Sequence, residues 1–360
     1  MIKLALIDNG IPYHMRNNRN QRIVHKSFLA SKCDPSEYKD DKSFHGAVCV
    51  GIITSICSDI ELWDLNVTDS AGTTQITVLL EALEWCIQNK IKLIHMSLGT
   101  INYFDIKPLW IQIKRLLDAD AIIVAAYHNR NIKTYPAAYP GVFGVRQDRY
   151  GLLGNGQILF QEQKGYNIEN SIIANFSWNG IVNQANSYAA PVVTGHIATY
   201  LNRKPTAGFD DVMDFLMTIA THKSDYPDVI RDKTNIEIPV IAGIDLDYEE
   251  MIQLKVMFSQ NGYYAINLQK NPLDENVIPL EYYDDSNESL NDILYTVYIA
   301  YEPDIILLNQ EEEIFESSKA SDIDMYIVRK NNMYELYAED RIGITYNIED
   351  IYELVCQYFA

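Results

Sequence analysis

"ANSYAAPVVTGHIA" (Ala185 to Ala198) opens polar, passes through Ala-Ala-Pro and continues as small and apolar residues at the spacing of a buried helix. A serine at the head of such a helix has two readings. It can be an ordinary cap for the free N–H groups of the first turn. It can also be a nucleophile presented at a helix N-terminus. The stretch alone does not choose between them, so the rest of the chain has to.

Working outward, the first 225 residues alternate apolar strand-like runs with helical patterns, the signature of parallel βαβ units. "IKLALID" (2–8), "IELWDLNV" (60–67), "KLIHMSL" (92–98) and "AIIVAAYH" (121–128) read as strands. "HGAVCVGIITSIC" (45–57), "QITVLLEALEWCIQNK" (75–90) and "IKPLWIQIKRLLDAD" (106–120) read as helices between them. "GVFGVRQ" and "GQILFQEQ" suggest short strands in a loop-rich meander. The helix from about 187 to 200 follows, then an amphipathic one over 209–223.

The polar, proline-containing stretch 226–236 marks a boundary. This gives an expected domain over 1–225, a linker over 226–236 and a second, smaller α/β domain over 237–360. In the second domain "IPVIAGI" is a strand, 247–262 a helix ending in Asn-Gly, and "MYIVRKNNMYELYAE" a hairpin turning at Asn331–Asn332. A nucleotide site would need a glycine-rich phosphate loop after its first strand. "DLDYEE" stands there instead, without the backbone nest or the phosphate-gripping lysine.

Charge divides the chain in the same place. Residues 1–240 carry 24 Asp/Glu and 23 Lys/Arg, a net of −1; residues 241–360 carry 25 and 6, a net of −19. An acidic module of this kind repels nucleic-acid phosphates and anionic lipid surfaces. It attracts basic peptides or proteins, so substrate or partner recognition is one reading and simple solubility the other. The five cysteines form no closely spaced pair of the kind metal sites use, and no metal or other cofactor is expected. No run reaches the roughly 18 apolar residues of a membrane span, and "MIKLALIDNG" lacks the features of a signal peptide. The expected setting is the cytoplasm, away from membranes and nucleic acid.

In an open parallel sheet functional groups gather at the carboxyl ends of the strands. Asp8 ends the first strand, His45 opens one helix and Ser187 opens another. Together they have the parts of an acyl-transfer triad. The imidazole takes the hydroxyl proton as the oxygen attacks, and the carboxylate holds the imidazole in one tautomer and stabilises its cation. Asn129, just past "AIIVAAYH", supplies a donor for the developing oxyanion at the same edge.

At this point the sequence resembles the subtilisin-like serine proteases, whose triad runs Asp, His, Ser along the chain. The resemblance covers about residues 2–223. It rests on "ALIDNGI" with Asp8, "HGAVCVG" with His45, "MSLG" (96–99), "IIVAAYHN" with Asn129, "TYPAAYPGVFGV" and "ANSYAAP" with Ser187. It implies a parallel-sheet subtilisin-like α/β fold and a serine endopeptidase acting on peptide or protein substrates. It further implies that Ser97, Leu98 and Gly99 border the primary specificity pocket. Tyr127 and His128 fall where the family builds the floor and wall of that pocket, and Arg130 falls near its rim, biasing a narrowed pocket toward acidic or small polar residues. "DSAG", with Ser70, Ala71 and Gly72, resembles the edge strand against which the family lays its substrate; a glycine-containing loop is the alternative reading.

The departures are specific. Ala185-Asn186 replaces Gly-Thr before the serine, where small residues let the chain turn tightly and asparagine is among the few alternatives that tolerate such angles. Val48 replaces the second histidine of the helix motif and is expected to pack. Asp8 lies seven residues after Met1, which leaves no room for an inhibitory propeptide in this sequence. A narrow substrate range, such as leader removal from a peptide precursor, is the corresponding expectation. A catalytically inactive binding protein is the alternative of a different class, and an esterase or acyltransferase would use the same four groups.

Overall fold

Five of the seven residues in Ile2–Asp8 are apolar, and together they form the inner strand of the N-terminal unit. The computed structural model of the chain describes residues 1–12, 22–29, 45–69, 72–161, 168–178, 180–182, 185–223, 225–228, 235–270, 272, 277–280, 289–310, 323–338 and 340–359. It divides into two compact units, Met1–Asp232 and Lys233–Ala360.

In the first unit β1 (Ile2–Asp8), β2 (Ile23–Ser27), β3 (Ile60–Asn66), β4 (Leu93–Met96), β5 (Ile122–Ala126), β6 (Val142–Gln147), β7 (Ile158–Phe160) and β8 (Ile172–Ala174) form one sheet. Its order is β2-β3-β1-β4-β5-β6-β8-β7, and every pairing is parallel except β7 with β8. Strands β1, β4 and β5 are buried almost throughout, as expected when both faces of a parallel sheet are covered. Helix α1 (His45–Ile56) and helix α4 (Asn186–Arg203) pack together on one face, with Leu4, Leu6, Leu93 and Val124 beneath them. Helices α2 (Ile76–Gln88) and α3 (Tyr103–Asp118) lie against each other. Helix α3 begins three residues before its apolar repeat, because the Asn102 side chain accepts from Phe104 N–H and caps it. Helix α5 (Phe209–Ile219) closes the unit against α4.

The sheet winds one way from β1 to β3 and β2 and the other way from β1 to β4 and β5. The strand order therefore reverses between β1 and β4, which opens a crevice beyond their carboxyl ends. Asp8, Ser97 and Asn129 all lie at this edge.

The second unit is a seven-stranded mixed sheet whose first strand, Val240–Ile244, is flanked by parallel neighbours. The turn after it is used to start a helix. Asp247 and Glu250 form a reciprocal capping box at the head of Tyr248–Gln260. The expected hairpin is present, with Asn331 in the left-handed region at its turn. A further strand, Arg341–Thr345, and a C-terminal helix, Ile348–Phe359, extend the unit beyond the elements read from sequence.

Candidate active site

Asp8 and His45 are 37 residues apart and are joined by the turn that ends β1. Gly10 takes φ +85, open to glycine at little cost. A methyl carbon on Gly46 would lie 2.9 Å from the Gly10 carbonyl oxygen, so the start of α1 touches this turn only because Gly46 has no side chain. Asn9 joins the two. Its N–H donates to Asp8 Oδ1 at 2.7 Å, and its Oδ1 accepts from Gly46 N–H at 2.9 Å.

The result is a continuous relay. His45 Nδ1 lies 2.8 Å from Asp8 Oδ2 and 3.0 Å from Oδ1, and His45 Nε2 lies 2.9 Å from Ser187 Oγ. An ionised carboxylate only accepts, so Nδ1 carries the proton and Nε2 faces the serine hydroxyl with its lone pair. Asp8 is 5% exposed, so the carboxylate end of the pair is shielded from water. Ser187 does not cap α4. The helix begins at Asn186, its N-cap is Ala185, and no side-chain cap bond is made. The hydroxyl is committed to His45.

The imidazole is held from its other face by Tyr188, stacked at 4.8 Å between ring centres with 23° between planes. Behind it Cys49 Sγ lies 3.7 Å from His45 Nδ1 and 3.4 Å from Ser97 Oγ. Burial disfavours the His45 cation, while the sulfur and the Asp8 carboxylate favour it, and the net shift is upward. Burial also lifts the Cys49 thiol, leaving it uncharged near neutral pH, so the charge that sustains the upward shift is that of Asp8. Asp8, His45 and Cys49 are the one group of metal-type donors among the described residues, with donor atoms within 4.8 Å of one another. Their mutual hydrogen bonds account for the arrangement without an ion.

Asn129 is oriented by the same turn. Its Oδ1 accepts from Asn186 N–H at 2.8 Å, which turns Nδ2 away, with no acceptor among the described residues. Ser187 N–H is in the first turn of α4, where backbone donors have no partner within the helix. These two donors can meet one developing negative charge, and the helix dipole favours it there.

Asn186 is accommodated by hydrogen bonding, not by unusual backbone angles. Ala185 is extended, and no residue of 185–187 has positive φ. The fully buried Asn186 side chain donates to the Tyr127 and His128 carbonyls at 3.2 and 2.9 Å and accepts from Gln147 N–H at 2.9 Å. Tyr127 is 3% exposed, its ring 3.6 Å from the Arg146 guanidinium, so it meets the turn through its carbonyl. His128 is half-buried, and burial together with Arg130 lowers its pKa. Arg130 is exposed.

Ser97 donates from Oγ to the Ser187 carbonyl oxygen at 3.1 Å, so it supports the nucleophile's backbone. Its partner is the buried His95, with Nε2 2.6 Å away and Nδ1 2.8 Å from Thr194 Oγ1 on α4; burial lowers the His95 pKa to about 3 and keeps it neutral. Leu98 and Gly99 continue this segment outward. Ser70 and Ala71 lie outside the described residues. Gly72 sits in a turn, not a strand: its N–H donates to the Asp69 carbonyl at 3.1 Å, and Asp69 N–H donates to the Thr73 carbonyl at 2.9 Å. Val48 packs against the core as expected. Asn9, Cys49, His95 and Tyr188 were not singled out in sequence. Asn9 and Tyr188 adjoin Asp8 and Ser187, the nearest thing to a signal for them.

Known proteins add to this geometry. Subtilisin E from Bacillus subtilis (strain 168) is 27% identical over 243 residues, covering 61% of this chain and 61% of that protein. The minor extracellular protease Epr of the same organism is 31% identical over 156 residues, covering 40% of this chain and 23% of that protein. Over about 61% of its length the chain is similar to subtilisins. No family model matches the chain. The crystal structure of a cold adapted subtilisin-like serine proteinase compares at a TM-score of 0.46 and 17% identity, covering 62% of this chain and 85% of that one. The chain spans 61% of the length of subtilisin E, subtilisin J and subtilisin amylosacchariticus. The N-terminal unit thus carries Asp8, His45 and Ser187 in one hydrogen-bonded chain. Among the described residues no helix is long and apolar enough to cross a membrane.

Proposed function

We propose that this protein is a serine endopeptidase in which Ser187 is the nucleophile, His45 the general base and Asp8 its orienting carboxylate. The observation that carries this reading is the unbroken Asp8–His45–Ser187 relay at 2.8 and 2.9 Å beside Asn129. Ser187 Oγ attacks the scissile carbonyl carbon as its proton passes to His45 Nε2. Asn129 Nδ2 and Ser187 N–H hold the oxyanion. The imidazolium then protonates the leaving amine, and water repeats the sequence on the acyl-enzyme. No metal or cofactor is needed for any step.

The substrate range is narrow. Leu98, Gly99 and His128 line the pocket for the residue before the scissile bond, Tyr127 underlies it, and Arg130 at its rim favours acidic or small polar residues. Removal of a leader from a peptide precursor in the cytoplasm suits such an enzyme, and the acidic C-terminal unit supplies a surface for a basic precursor or partner. Cleavage of a precursor held this way falls with added salt, while cleavage of a short reporter peptide does not.

Labelling by a fluorophosphonate probe, compared with Ser187→Ala, tests the reading. A label on the native protein that is lost in the variant is expected. Labelling that is absent, or that persists without the serine, overturns it.

A further inference from the structure

The turn carrying Ser187 is pinned on both sides. Ser97 Oγ donates to the Ser187 carbonyl on one, and Asn186 Nδ2 donates to the Tyr127 and His128 carbonyls on the other. Segments 97–99 and 127–129, which leave the adjacent parallel strands β4 and β5, therefore flank the nucleophile.

The gap between these segments, assigned above to the residue before the scissile bond, is bridged by a side chain of this protein. Thr134 is 3% exposed, and its Oγ1 accepts from His128 N–H at 3.0 Å and donates to the Ile132 carbonyl at 2.7 Å. The two bonds fix the rotamer and aim the methyl at the opposite segment. A methyl carbon on Gly99 would lie 2.7 Å from Thr134 Cγ2 and 2.7 Å from the Tyr135 carbonyl oxygen. The backbone behind is equally fixed, since Thr100 and Tyr135 exchange N–H···O bonds of 2.7 and 2.9 Å. The threonine cannot swing aside without leaving the His128 N–H unmet.

We infer that Thr134 is a specificity-determining residue that plugs the pocket from below, so that the residue preceding the scissile bond is glycine, alanine or serine. This rests on the endopeptidase reading and narrows it: of the acidic and small polar residues that Arg130 would favour, the plug admits only the small ones. One methylene in a closed pocket changes discrimination by about 10- to 200-fold, so a single methyl at this position is measurable.

The test uses the full chain and peptides that differ only at that residue. For the native protein kcat/KM with alanine or serine is expected to exceed that with leucine, phenylalanine or glutamate by at least about tenfold. Thr134→Ser keeps both hydroxyl bonds and removes only the methyl. It should raise the ratio of cleavage after leucine to cleavage after alanine by about tenfold. Thr134→Val keeps the bulk and should keep the preference for small residues. Native protein that cleaves after leucine or phenylalanine as fast as after alanine overturns the inference, whatever the variants do. So does a folded Thr134→Ser with an unchanged profile. Fluorophosphonate labelling separates the two readings. Ser187-dependent label with no size preference defeats the plug alone, whereas absence of that label defeats the endopeptidase reading and the plug with it.

Discussion

Two aspartate–histidine pairs sit in the same sheet of this molecule and differ in what lies beyond the imidazole. Asp8 meets His45 Nδ1 at 2.8 Å, and Asp64, on the neighbouring strand β3, meets His25 Nδ1 at 2.6 Å. Both carboxylates are buried, and both histidines are partly exposed. Only His45 has a serine hydroxyl on Nε2, at 2.9 Å from the first turn of a helix. His25 instead lies on the edge strand β2, and Asp64 also accepts from Ile11 N–H at 3.1 Å, tying down the chain after β1. A buried Asp–His pair is thus a structural joint in one place and, on the proposed function, part of a reactive relay in the other. The third group decides which.

The largest expected effect breaks the relay. Ser187→Ala or His45→Ala should lower kcat by about 10⁶, a size carried over from subtilisin itself. His25→Ala should leave kcat within about threefold, since the pair shares no partner with Ser187. It should instead lower stability by about 1–3 kcal/mol by leaving the Asp64 carboxylate short of a donor, seen as a drop in Tm. Equal losses of activity from His25→Ala and His45→Ala would abolish the distinction.

Next in size is the oxyanion donor. Asn129→Ala should cost about 10²–10³ in kcat with little change in KM, again a magnitude known from subtilisin. A rise in KM alone would place Asn129 in substrate binding.

The pH profile sharpens the comparison further. His45 works as a base only when neutral, so kcat/KM falls as pH drops through its pKa. Because Asp8 holds that pKa upward, the acid limb should have its midpoint above about 6.5, the ordinary histidine value. Asp8→Asn should bring the midpoint down along with the rate. An acid limb below the ordinary value would show that burial outweighs the carboxylate. The smallest effect belongs to Tyr188→Ala. Loss of the stacked ring should cost about 0.5–1.5 kcal/mol of positioning, roughly 2- to 10-fold in kcat.

Much of this was legible from residue types. Ile122–Ala126 is a continuous apolar run and Ile2–Asp8 nearly one, and each falls within the strand read from it because both faces of a parallel sheet are covered; Ile60–Asn66 does so too, although it carries Glu61, Asp64 and Asn66. The edge strand Ile23–Ser27 was not singled out, since only one neighbour buries it and "IVHKS" mixes polar with apolar residues. The hydrogen-bond network was beyond periodicity altogether. Nothing in the spacing says that Asn9 links the β1 turn to α1, that Asn186 bridges three backbone groups, or that Tyr188 covers His45.

By itself the sequence determined where the polar groups leave the apolar strands and helices: Asp8 at a strand end, His45 and Ser187 at helix heads, Asn129 after a strand. Those positions lie where the apolar runs stop, which is visible in residue type alone. What only the tertiary structure decided is which of them touch and what fills the space beside them. The serine turned from possible cap to hydrogen-bond partner of His45, and Thr134 came to rest against Gly99. Contacts between residues 35 or 142 positions apart depend on strand order and on close approach at glycines, and neither is written in local pattern.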